Sequence, residues 1–275
     1  GYEVVFVDIV NEIVSLLNAQ RRYRIEVKDF QPETIWVENV RAVHSRDIGK
    51  VAYEIATADI MATAVGANNL DHIYPIIAKG LVKRLEMKRC SMDILICENI
   101  RDSPRLFRKG LLKHLPEGYP LDFMTGLVET SIGKMVPIMT EEQKREDPLL
   151  IHTEAYNKII MDKKGFKNPI PEVEGLEPKE NMNAYVDLKL FVHNMGHAAA
   201  AYLGYITDTK MKYIWEAMGN KHIRTAVEGA MWESGRALIL EHPEEFNEET
   251  IKEHINDLVR RFGNKALGDT LYRVG

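Results

Sequence analysis

Lys189, His193, Asn194 and His197 stand within nine residues of one another in Lys189-Leu190-Phe191-Val192-His193-Asn194-Met195-Gly196-His197. The stretch has no Pro and its apolar residues recur at helical spacing, so it is expected to be a helix. At roughly 100° per residue, with Lys189 at zero, His193 falls near 40°, His197 near 80° and Asn194 near 140°. Phe191, Val192, Met195, Ala199 and Leu203 fall on the opposite side. An amine, an amide and two imidazoles thus share one arc that holds no carboxylate. Such an arc is either a solvated face or the wall of a pocket. Facing a pocket, the set has a chemistry. A Lys deprived of counter-ions and water becomes a base near neutral pH. An Asn amide can donate to a developing alkoxide, and a His can hold a hydroxyl. Together these suit metal-free oxidation of a sugar alcohol.

Positioning such a set takes a scaffold, and the chain alternates strand and helix from its start. Glu3–Asp8 is β-rich and is followed by helical spacing over Asn11–Gln20; helices are expected at Asp47–Thr57 and about Leu70–Arg89, and strands at Ile60–Gly66 and Asp93–Asn99. That alternation predicts an α/β domain with a parallel, Rossmann-like doubly wound sheet. Tyr23–Val27, Thr34–Val37 and Val40–His44 read as a small added ribbon, Glu141–Asp147 as a charged loop, and Leu149–Tyr156 as a further strand. Pro169, Pro171, Gly175 and Pro178 crowd one stretch, which sets the expected boundary between a nucleotide-binding domain, 1–168, and an all-α domain, 169–275.

Asp8 ends the first strand. In doubly wound folds the acid ending the second strand accepts from the adenosine ribose hydroxyls and disfavours a 2′-phosphate, so NAD is expected over NADP. An acid there can equally cap the next helix. The glycine fingerprint belongs some 20 residues upstream of such an acid. No Gly-x-Gly-x-x-Gly occurs in these 275 residues. The first strand and its glycine loop are therefore expected to lie outside this sequence, as is a segment beyond Gly275.

Composition narrows the rest. A net charge of −5 without a long basic run makes nucleic acid an unfavourable partner. Two cysteines, Cys90 and Cys97, suggest a reducing compartment. No apolar run approaches the roughly 20 residues that span a bilayer, and no signal peptide is visible, so a cytoplasmic location without membrane partners is expected. His193 and His197 are four apart, but no Glu stands between them in the metalloprotease pattern and no third ligand is evident, so no metal is expected.

Lys189, four residues, Asn194, two residues and His197 resemble the signature of the polyol-specific long-chain dehydrogenases, the mannitol dehydrogenase family. Similar runs are Cys97-Glu98-Asn99, Ile76–Arg84 and Gly229-Ala230-Met231 with Glu233-Ser234-Gly235. The resemblance implies NAD-dependent interconversion of mannitol 1-phosphate and fructose 6-phosphate. It makes Lys189 the base, Asn99 and Asn194 an amide pair around the reacting oxygen, and His197 the holder of a neighbouring one. It places Gly66 beside the cofactor and Arg273 at the anionic end of the substrate. One departure stands out: where relatives carry Asp-Arg, this chain has Gly133-Lys134. That leaves open a sibling activity on a hexuronate or unphosphorylated polyol, and an inactive cofactor-binding or interaction module as a reading of another class. The sequence leaves the oligomeric state open.

Overall fold

The computed structural model describes residues 1–275 and holds ten strands. They are β1 (Val4–Asp8), β2 (Arg22–Val27), β3 (Glu33–Glu38), β4 (Val40–His44), β5 (Ile60–Thr63), β6 (Met92–Ile96), β7 (Thr125–Ile132), β8 (Ile151–Thr153), β9 (Ile159–Asp162) and β10 (Leu176–Lys179). β5, β6 and β7 pair in parallel, as the helices between them require. β9 joins β7 antiparallel, and β10 joins β9 in parallel. The central strand β6 is buried on both faces, with Asp93 and Leu95 on one and Met92, Ile94 and Ile96, fully buried, on the other. They pack with Ile77 and Leu81 of the helix Leu70–Glu86 and with Phe107 and Leu111 of the helix Ser103–Leu112. This is the Rossmann-like α/β layer that the alternation predicts.

Local pattern failed in three places. β4 does not belong to the ribbon: it pairs in parallel with β1, and Val40 and Val43 are buried while β3 beside it in sequence stays exposed. The ribbon is β3–β2–β8 instead, so its third strand comes from more than 100 residues downstream. Choice of strand partner is a long-range matter that alternation within a strand does not encode. Glu141–Glu146 is a helix, begun by a capping box between Thr140 and Gln143. β10 lies past the boundary expected at residue 168 and is still hydrogen-bonded to β9.

Beyond β10 every long element is a helix. Met182–Leu188, Lys189–Asn194 and Met195–Thr207 form one continuous rod, surrounded by Ile214–Gly219, Lys221–Glu241 and Glu248–Phe262. Their core includes Val192, Ala200, Ala217, Val227, Met231, Ile251 and Leu258. Gly196 packs so tightly that a Cβ there would overlap Met231, and Gly204 meets Ala217 and Leu271 in the same way. No helix is long and apolar enough to cross a membrane.

Candidate active site

The rod is α-helical on both sides, but Lys189–Asn194 forms a π turn. Its i→i+5 hydrogen bonds widen the helix by one residue. In a pure α-helix Asn194 would sit about 140° around from Lys189; an i→i+5 turn returns it to nearly the same face. The expected arc is redrawn accordingly. His193 stays beside His197, with ring centroids 6.2 Å apart, but is buried at 6% exposure against Gly133 and Phe262. Phe191, expected in the core, is exposed instead.

Lys189 Nζ donates to Asn99 Oδ1 across 3.0 Å. Asn99 follows β6, so this one bond joins the carboxyl end of the parallel sheet to the helical domain. Lys189 makes no salt bridge, and burial of its stem lowers its pKa from the ordinary lysine value. The Asn99 carbonyl is occupied by the ammonium, which leaves the amide N–H groups of Asn99 free to donate elsewhere. Asn194 is half-buried.

A second contact ties the same segments. Arg101 Nη2 lies 3.1 Å from Asp187 Oδ1, and His242 Nε2 lies 3.2 Å from the other oxygen. On the sheet side, buried Glu98 accepts from the backbone N–H groups of Val65 and Gly66 at 2.9 Å each. Gly66 has φ +85°, which only glycine adopts cheaply. Glu98 therefore clips the loop after β5 to the loop that presents Asn99.

His197 stacks on Phe262, with centroids 4.6 Å apart and planes 8° from parallel. Its Nε2 lies 3.0 Å from Asp269 Oδ2; the approach is inclined to the N–H direction, so the contact is chiefly electrostatic. The other Asp269 oxygen accepts from Arg273 Nε at 2.7 Å. Burial pushes the Asp269 carboxyl up, but His197 and Arg273 outweigh it and hold the pKa below the ordinary carboxylate value. Arg273, expected at the anionic end of the substrate, is paired with Asp269, which shares its charge.

Below the rod, Arg261 donates to both oxygens of Glu154, from Nε at 2.8 Å and Nη2 at 2.6 Å. Both residues are almost wholly buried. Arg261 also donates to the Gly133 carbonyl and covers the Tyr156 ring at 4.2 Å. The backbone N–H of Met135 donates to Glu154 as well. The Gly133-Lys134 departure therefore sits beside His193 and on the main ion pair between the two domains. Lys134 Nζ turns aside to the Tyr156 carbonyl at 2.7 Å.

Asp8 and Gly66 lie at the carboxyl ends of β1 and β5. One Asp8 oxygen accepts from Val10 N–H at 2.7 Å, the local turn that an acid there can also serve. A cavity of about 570 Å³ lies elsewhere, at the amino ends of β5 and β6 among Ile60, Arg84, Cys90 and Asp93. The candidate site is defined by its chemistry and not by cavity size.

Two family profiles cover the chain: the mannitol dehydrogenase Rossmann domain over residues 1–175 and the mannitol dehydrogenase C-terminal domain over residues 181–275. The chain belongs to the mannitol dehydrogenase family. Within it, the chain is 34% identical over its whole length to mannitol-1-phosphate 5-dehydrogenase of Geobacillus stearothermophilus, covering 70% of that protein. It is 33% identical to the enzyme of the same name from Brevibacillus brevis, covering 69%. Among solved structures, Pseudomonas fluorescens mannitol 2-dehydrogenase with NAD and D-mannitol superposes with a TM-score of 0.76 at 15% identity. A D-sorbitol dehydrogenase in substrate-free form superposes with 0.81 at 13%. Each alignment covers 99% of this chain, which spans 64% and 66% of those two chains. At such identities the likeness shows the fold alone.

Three residues around the candidate site escaped sequence reasoning, Glu154, Arg261 and Asp269, and Glu98 was quoted in its run without the clip it makes to Val65 and Gly66. Asp269 and Arg273 are spaced i, i+4 and could have been paired from that alone. Glu154 and Arg261 are 107 positions apart, and nothing local links them.

Proposed function

We propose that this protein is an NAD-dependent oxidoreductase interconverting mannitol 1-phosphate and fructose 6-phosphate, with Lys189 as the general base. The observation that carries the reading is the contact of Lys189 with Asn99, by an amine that no carboxylate neutralises. The name shared by the 33–34% identical relatives supplies the substrate.

The residues present fit a dinucleotide. Asp8 keeps one carboxylate oxygen clear of its turn for ribose hydroxyls, and the Gly66 loop, pinned by Glu98, offers close backbone approach. NAD, when bound, supplies the hydride acceptor. The chain does the rest. Neutral Lys189 takes the proton from the reacting hydroxyl. Asn99 and Asn194 donate N–H groups to the oxygen as negative charge grows on it, as in an oxyanion hole. His197 holds a neighbouring hydroxyl, and Arg273 faces the phosphate. In the reverse direction the Lys189 ammonium returns the proton to the carbonyl oxygen.

The sign of the pH dependence follows. Oxidation needs the free amine, so kcat/KM for the polyol phosphate rises with pH and levels off above the lowered Lys189 pKa. Ketone reduction needs the ammonium and falls across the same range. Initial rates in both directions between about pH 6 and 10, with mannitol 1-phosphate beside mannitol and a hexuronate, test this. Parallel pH profiles in the two directions would remove Lys189 as the base. Preference for a hexuronate or for free mannitol would move the substrate to a sibling class.

A further inference from the structure

Asp269 touches two of the side chains that the proposed reaction assigns to the substrate, and its own position is fixed. It follows Gly268, whose φ of +66° turns the chain after the helix Glu248–Phe262 and the short turn beyond it. Its carbonyl accepts from Ile214 N–H at 3.0 Å, and the next residue, Thr270, bridges to Tyr213. The Thr270 hydroxyl then caps the last helix, Leu271–Val274, which carries Arg273. The carboxylate itself is 6% exposed. A backbone held on both sides and a buried side chain make a rigid reference point.

His197 has one rotational freedom removed by Phe262, which clamps the plane of the imidazole. Asp269 removes the remaining ambiguity. Even off the N–H axis, a carboxylate oxygen 3.0 Å from Nε2 favours the positive end of an N–H dipole there over a lone pair, so the proton of the neutral ring belongs on Nε2. Nδ1 then carries the lone pair, and it makes no hydrogen bond within the protein. On the other side, Arg273 Nε and Nη2 both reach Asp269 Oδ1 at 2.7 Å, which leaves Nη1 for another partner.

We propose that Asp269 is a positioning residue whose one carboxylate fixes His197 with Nε2 protonated, so that Nδ1 accepts from a substrate hydroxyl, and aims Arg273 at the substrate's anionic end. The assignment of those two partners rests on the function proposed above. The carboxylate does not touch substrate; it sets which hydrogen-bonding face the site presents. The consequence is directional: His197 accepts a hydrogen bond and selects a hydroxyl, not a carbonyl, at that neighbouring position.

Long-range ¹H–¹⁵N correlation spectra of the imidazoles report the tautomer without substrate or turnover, and the His197→Asn variant identifies the signal. The expected result is an Nε2–H tautomer in the wild-type protein and a mixture in Asp269→Ala. Asp269→Asn, whose amide oxygen can still accept from Nε2–H, should restore it. In kinetics, Asp269→Ala should raise KM for the sugar phosphate by about tenfold or more, with KM for NAD unchanged and partial recovery in Asp269→Asn. An Nδ1–H tautomer at His197 in the wild type overturns the proposal. So does an Asp269→Ala protein with wild-type tautomer and KM. Failure of the functional reading looks different: the tautomer responds to Asp269 as expected, while the wild-type protein reduces no NAD with the sugar phosphate.

Discussion

Of the cations that bridge the sheet domain and the helical domain, Arg261 and Lys189 are treated oppositely. Arg261 is buried at 3% exposure, bonded to both oxygens of Glu154 and to the Gly133 carbonyl. Burial opposes its charge, but Glu154 outweighs burial and raises its pKa. Lys189 is half-buried, meets a neutral amide and has its pKa lowered. One cation is locked in its charged state and can only hold. The other has its charged state disfavoured, as the proposed proton exchange requires. An Arg suits the first role because its planar fork fills a carboxylate's lone pairs; a Lys suits the second because its ammonium deprotonates within reach of neutral pH. A base placed near a rigid ion pair keeps its geometry without sharing its charge.

The comparison can be broken from the Arg261 side first, where the largest effect is expected. Arg261→Met leaves Glu154 buried and unpaired, which costs about 3–5 kcal/mol of folding free energy. Denaturant unfolding should show it, and Glu154→Leu added to Arg261→Met should recover most of the loss. If the single variant unfolds like the wild type, the pair does not hold the domains. Next is Lys189→Ala, which should lower kcat on the order of 10²-fold or more. Its Tm should not fall, because removing a desolvated, unpaired amine takes away a cost. A large drop in Tm with normal turnover would exchange the two roles. The smallest effect is at the cofactor end. Asp8→Ala should narrow the preference for NAD over NADP by about tenfold, equal to 1.4 kcal/mol. An unchanged kcat/KM ratio would take Asp8 out of the site.

How much of this was legible in the sequence divides by range. The helix Leu70–Glu86 and the strand β6 announce themselves, because a long periodic run and the apolar stretch Ile94–Cys97 each have one low-energy solution. The meeting of Lys189 and Asn99, 90 positions apart, followed from placing one at a strand's carboxyl end and the other beyond the domain boundary. What stayed hidden was set by tertiary partners. β4 chose β1 over its sequence neighbour, and Glu154 chose Arg261. The Glu141–Glu146 helix has no apolar face to betray it and is specified by its cap. The facing of Phe191 was misjudged because an angular projection assumes a uniform turn, and this helix is not uniform.

That interruption has a consequence of its own. The rod Met182–Thr207 behaves as two screws of the same pitch cut out of phase. Asp187, held by Arg101 and His242, sets the thread of the first; Gly196 and Gly204, where no Cβ would fit, set the thread of the second. Neither half can rotate to meet the other, so the whole phase error collects in the six residues from Lys189 to Asn194. Deleting one of the four residues between Lys189 and Asn194 would let the helix run true. Asn194 would then stand four positions from Lys189 and still only about 40° around from it, so the extra residue is absorbed by the wide turn without parting the two.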